Sequence, residues 1–162
     1  MLSSTSGERS ESVAPNSSMV KLDERFPKRR KDEFFSKLES KLLDLMRQGH
    51  IYLNHAPKFE KYGLCQMIRM TTLELDGLIV EAWKKSDNRT AIMKMDVKHE
   101  QIRHLWNLFY ELRYFDYTKN EQMDDEITAL RRFATINRII DEIGKMIGGL
   151  KNGLKQSTAP QQ

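Results

Sequence analysis

The chain holds a single cysteine, Cys65. An internal disulfide is therefore impossible, which suits a reducing, cytoplasmic setting. Proline and glycine are scarce, at four and eight. No Asn-Gly or Asp-Gly pair separates alternating apolar runs, and no block is rich in Val, Ile and Thr, so a sheet is not expected. No apolar run approaches the roughly 18 residues of a membrane span. The N-terminus lacks the apolar core of a secretory signal, so none is expected. There is no Gly-rich phosphate loop, no serine elbow and no zinc-ligand spacing, so an enzyme is not expected either.

What remains is a charge-rich chain of 162 residues, 39% hydrophobic and 31% charged, enough for one helical domain and a tail. The net charge is +4, unevenly spread. Residues 1–31 carry seven Lys/Arg against four Asp/Glu, and the remainder twenty against nineteen. Residues 1–31 read as a disordered tail, Ser-rich at first and closed by the basic run Pro27 to Lys31. That run is either a solvated linker or an electrostatic contact to nucleic acid. Residues 32–155 read as the folded domain, and 156–162 as a frayed end.

Four helices are expected within 32–155. The first begins near Asp32, with Phe34, Leu38, Leu42, Leu45 and Tyr52 at steps of three to four and Gly49 where another backbone could approach. The second runs from about Lys58 to Lys85. Its inner row is Leu64, Ile68, Thr71, Leu75, Leu78 and Ala82, with Glu60 at the positive end and Lys84 and Lys85 at the negative end. Ser86-Asp87-Asn88 supplies a turn and an N-cap. The third runs to about Tyr114 on Ile92, Met95, His99, Ile102, Trp106 and Phe109. Thr118 and Glu121 then have capping-box spacing for a fourth helix over about 120–153. Its seam, Phe133, Ile136, Ile140, Ile143, Ile147, Leu150 and Leu154, is the longest in the chain. Such helices with short connections make an up-down-up-down bundle, an all-α fold. Ile139, Met146, Leu105 and Leu112 widen the stripes beyond one core, so an oligomer is expected.

Several residues have a chemical reading and a plainer one. Asp96-x-x-His99 loosely has the spacing of a di-iron ligand pair, but no second pair exists, so a hydrogen-bonded core or interface histidine is expected, and no metal or cofactor. Cys65 has Lys61 one turn earlier, which could activate the thiol, yet a buried small hydrophobe is the default. Gly144, Gly148, Gly149 and Gly153 fall on the fourth helix at a cost of about 1 kcal/mol each relative to alanine. They mark either a close helix approach or a loosening end.

The basic residues fall into groups. The fourth helix carries Arg131, Arg132, Arg138, Lys145, Lys151 and Lys155, the second Lys58, Lys61 and Arg69, and the third Arg89, Lys94, Lys98 and Arg103. A stripe of such groups neutralises phosphates without reading sequence. Helix ion pairs, such as Glu100 with Arg103 and Arg138 with Asp141, explain part of them.

Three segments together resemble the accessory variability determinant (Avd) family of diversity-generating retroelements. They are HAPKFEKYGLCQMIRMTTLELDGLIVEA from His55, DVKHEQIRHLWNLFYEL from Asp96 and IDEIGKMIGGLKNGL from Ile140. The first is also similar to four-helix-bundle proteins encoded in intervening sequences of 23S ribosomal RNA genes, and the second and third favour Avd. The resemblance implies a four-helix bundle assembled as a pentameric barrel. It implies a non-enzymatic partner of the element's reverse transcriptase and template RNA, supporting the mutagenic cDNA synthesis of retrohoming. Arg103 falls where the family tends to carry a basic residue and is the first choice for contact. The alternative is an oligomeric RNA-binding bundle of the intervening-sequence type, without a reverse transcriptase.

Overall fold

A computed structural model describes the backbone of residues 18–157 and side chains from Arg29 to Gln156. Of the ends expected to be disordered, 1–31 and 156–162, residues 1–17 and 158–162 lie outside the described residues, while 18–31 and 156–157 are helical. Four helices follow in order: α1 (Ser18–His55), α2 (Leu64–Lys84), α3 (Arg89–Glu111) and α4 (Glu126–Ser157). Each packs on the next, and α4 returns to α1, which closes an antiparallel four-helix bundle.

The apolar periods build one core. All six residues of the α3 row are buried, and so are Ile136, Ile140, Ile143 and Ile147 of the α4 seam. On α2, Thr72 and Ile79 complete the row in place of Thr71 and Leu78. Leu78 sits on the flank toward α3, beside Met93 and Val97, and the Thr72 hydroxyl tolerates burial because it donates to the Ile68 carbonyl at 2.7 Å. On α1, Phe35 and Leu53 are buried while Phe34 and Tyr52 are only partly so. Gly49 admits a side chain and not a backbone: a Cβ there would lie 2.9 Å from Cζ2 of Trp106.

Other boundaries differ from the sequence reading. α1 reaches back past Asp32 to Ser18 and takes in the Pro27–Lys31 run. Met19, Leu22 and Phe26 stand at helical spacing in this stretch of sequence and extend the α1 period upstream. Asp32 is thus no helix cap; its Oδ1 accepts the Trp83 indole N–H at 2.6 Å and ties α1 to the end of α2. α2 starts at Leu64 rather than Lys58, after a single 3-10 turn, Lys58–Glu60, and the break at Gly63 (φ −99°, ψ −118°). Glu60 still serves the positive end of α2, its Oε2 accepting the Leu64 N–H at 2.9 Å.

The α3–α4 connection departs most. After a 3-10 turn (Tyr114–Asp116), β1 (Tyr117–Thr118) pairs antiparallel with β2 (Glu121–Gln122), a small ribbon in a chain where no strand was expected. Lys119 and Asn120, at φ 51° and 67°, form its turn. The Thr118–Glu121 spacing therefore makes no capping box. α4 begins later, where Asp125 accepts the Thr128 N–H at 3.1 Å and its hydroxyl at 2.6 Å.

The surplus apolar surface is also elsewhere. Ile139 and Leu105 are buried within the chain and Met146 packs on its core. Leu112 alone of the four is exposed, joined by Met67, Met70, Leu73 and Val80 of α2 and Met93, Val97 and Leu108 of α3.

Candidate nucleic-acid interface

The residues expected to touch RNA do not converge. Arg103 leans across from α3 to α4, its Nη1 2.6 Å from Asp141 Oδ1, with Glu100 at 3.7 Å. Lys98 is 2.6 Å from Glu74 of α2. Arg69 donates to Asn54 Oδ1 at 3.0 Å on the α1–α2 face. Arg132 is structural: its guanidinium donates to the carbonyls of Phe115 and Tyr117 and to the Thr118 hydroxyl, at 2.9, 2.8 and 3.0 Å. Lys61 lies over the Tyr62 ring at 5.3 Å. Lys58, Lys94, Arg131 and Arg138 are exposed, the last two together on α4 and the others on two further elements. Lys151 pairs with Asp96 at 2.5 Å.

The two ends of the bundle differ in sign. Residues 58–61 and 111–126 meet where α1 ends and α4 begins, and hold four Lys/Arg against seven Asp/Glu. Residues 29–33 and 81–89 meet at the opposite end, and hold six against four. At that second end Lys31 Nζ donates to the Lys85 carbonyl at 3.3 Å, and Phe35 stacks on Trp83 with ring centroids 6.2 Å apart. Lys84 Nζ stands 4.1 Å from the Trp83 ring centroid on α2. Glu33 is spent on Arg29 and Glu81 on Lys85, and the Lys85 ammonium holds the Glu81 carboxyl below its ordinary range. Arg30, Lys31, Lys84 and Arg89 have no carboxylate within ion-pair distance among the described residues.

Sequence reading missed Arg30 and Lys84 as parts of one surface. The signal was present in two basic runs, Pro27–Lys31 and Lys84-Lys85 with Arg89. In an up-down bundle both fall at the same end. Treating Lys84 and Lys85 only as helix-dipole partners hid this.

The plainer readings of the other candidates have explicit geometry. His99 is buried, and its Nε2–H donates to the Ile140 carbonyl at 2.7 Å. Gly144 makes room for that ring, since a Cβ there would lie 2.6 Å from His99 Cε1. Among the described residues, Gly148, Gly149 and Gly153 have nothing within 4 Å of such a Cβ. Cys65 is buried, and burial pushes its thiol up to about 11, away from the reactive range. Among the described residues no three His, Cys, Asp or Glu side chains cluster as metal ligands, and no helix is long and apolar enough to cross a membrane.

No curated protein and no solved structure matches the chain. A family profile does, over residues 36–154, which takes in α1 from Ser36 onward, all of α2 and α3 and nearly all of α4. That span is well over half the sequence, and the chain belongs to the bAvd-like family.

Proposed function

We propose that the chain is the accessory protein of a diversity-generating retroelement. It binds the element's reverse transcriptase and template RNA and supports mutagenic cDNA synthesis without catalysing a step itself. Family membership across the whole bundle carries this reading. Its mechanism is positioning: exposed apolar side chains join copies of the chain, and exposed cations hold phosphate. The exposed apolar residues of α2 and α3, with Met67, Met70, Met93 and Val97, support assembly into a homo-oligomer, a pentameric barrel in the cytoplasm. Arg103 is a proposed contact that exchanges Asp141 for a phosphate or an acidic group of the enzyme; Arg69, Lys58, Lys61, Lys94, Lys98, Arg131 and Arg138 are lesser ones.

The test is recovery of the co-expressed reverse transcriptase on the tagged chain, with and without template RNA, alongside solution mass. The expected result is recovery of the enzyme, more of it with RNA, on a scaffold of five chain masses. A monomer that retains neither enzyme nor RNA would overturn the reading.

A further inference from the structure

We propose that the end of the bundle built from the start of the packed part of α1 and the α2–α3 turn is the surface on which the RNA backbone lies. The inference rests on the accessory-protein reading and adds a place to it. Four cations define the surface: Arg30, Lys31, Lys84 and Arg89. Lys31 is fixed to α2 through the Lys85 carbonyl and Lys84 to the Trp83 ring, so two of the four are pre-positioned on a rigid part of the fold. Glu33 is paired with Arg29 and Glu81 with Lys85, while Asp32 accepts the Trp83 indole N–H and Asp87 the Arg89 backbone N–H, so two carboxylates keep their charge against the four cations. The field at this end is therefore positive although the chain from 32 onward is nearly neutral.

The chemistry of the surface selects among polyanions. A protein partner would need a desolvated aromatic or aliphatic anchor. Among the described residues the aromatic group beside these cations, Trp83, is half-buried, with Phe35 stacked on its ring and Lys84 over it. It is therefore a poor platform for a base. Long exposed ammonium and guanidinium arms without an apolar centre suit a phosphate backbone bound by charge, with release of counterions and little reading of sequence.

The experiment uses the full chain and a labelled mixed-sequence single-stranded RNA of about 30 nucleotides, followed by anisotropy across a salt series. One variant combines Arg30→Glu, Lys84→Glu and Arg89→Glu; a control away from that surface combines Arg47→Glu, Lys119→Glu and Lys145→Glu, three exposed cations with no proposed contact role. The first should weaken RNA binding about tenfold or more and lower the slope of log K against log salt by about 2, at roughly 0.7 per lost phosphate contact. The control should bind as the parent does. Both should keep helicity, assembly mass and capture of the reverse transcriptase. Parent-like RNA binding by the first variant with loss in the control would place the RNA elsewhere and leave the accessory reading intact. Failure of the parent to bind RNA at low salt, or displacement of RNA by poly-glutamate at equal charge, would overturn the proposal. Loss of the enzyme from the parent chain as well would overturn the accessory reading with it.

Discussion

Where α1 ends and α4 begins, several side chains bond across elements. Asn120 donates from its side chain to the carbonyls of Asn54 and Ala56, at 3.0 and 2.6 Å, and from its backbone to His55 at 3.1 Å, closing the end of α1. Arg132 ties α4 to the ribbon. The Tyr114 hydroxyl donates to Glu60 at 2.7 Å, and the rings of Trp106, Phe109, Tyr114 and Phe115 interlock beside it. At the opposite end the hydrogen bonds among the described residues include the Asp32–Trp83 bond, the Lys31–Lys85 contact and Asn88 on the Ala82 carbonyl at 3.1 Å. The first end carries the long connection, whose buried backbone needs side-chain partners. The second is a short turn between helices, which needs few and leaves Arg30, Lys84 and Arg89 without a carboxylate partner among the described residues. The near balance of charge from residue 32 onward thus conceals a polarised molecule.

That contrast assigns stability to one end. Arg132→Ala should have the largest effect. It removes three hydrogen bonds and strands two backbone carbonyls, so a loss of about 3 kcal/mol is expected at roughly 1 kcal/mol per bond. Urea unfolding reads it. A change below about 1 kcal/mol would mean that the ribbon is held by its aromatic packing and not by the guanidinium.

Tyr114→Phe should cost less, about 2 kcal/mol, because one bond to a carboxylate is lost and the ring stays. The same residue gives a pH signature. Burial, then the Glu60 carboxylate, push the Tyr114 hydroxyl up to about 12, and burial pushes Cys65 up to about 11. Both groups hold their proton more tightly when folded. Their contribution is intact below about pH 9 and is lost as pH rises through 11 to 12. Thermal midpoints from pH 8 to 11 should fall with rising pH, and less steeply in Tyr114→Phe combined with Cys65→Ala. An unchanged slope would refute a protonated Tyr114–Glu60 bond as a source of alkaline sensitivity.

What could be read from the sequence follows the same division. The α3 and α4 rows were legible because long helices with strict periods must bury that face. The α2 row was legible to within one residue, Thr71 standing beside Thr72 and Leu78 beside Ile79 in the chain. The ribbon was not legible. Its turn is Lys119-Asn120, with no glycine, and Asn120 adopts positive φ where its side chain and N–H reach the carbonyls of α1, a tertiary reward invisible to local rules. The basic residues could be counted but not sorted. Nothing local shows that Arg132 serves the backbone, that Arg103 answers Asp141, or that Lys84 and Arg30 share an end.

The smallest effect is the one that bears on assembly. Gly144 and Gly148 are one turn apart on α4, yet only Gly144 is explained within the chain, by the His99 ring. Gly148 has open space where a Cβ would stand. In an isolated bundle Gly148→Ala should therefore stabilise by up to about 1 kcal/mol, the ordinary helix gain over glycine. If a second copy packs its backbone against this position, the added methyl blocks the approach and the sign reverses. Unfolding of the variant at low and high protein concentration separates the cases. A gain at every concentration leaves the exposed apolar residues of α2 and α3 as the joining surface, and a loss that grows with concentration moves the joint to α4.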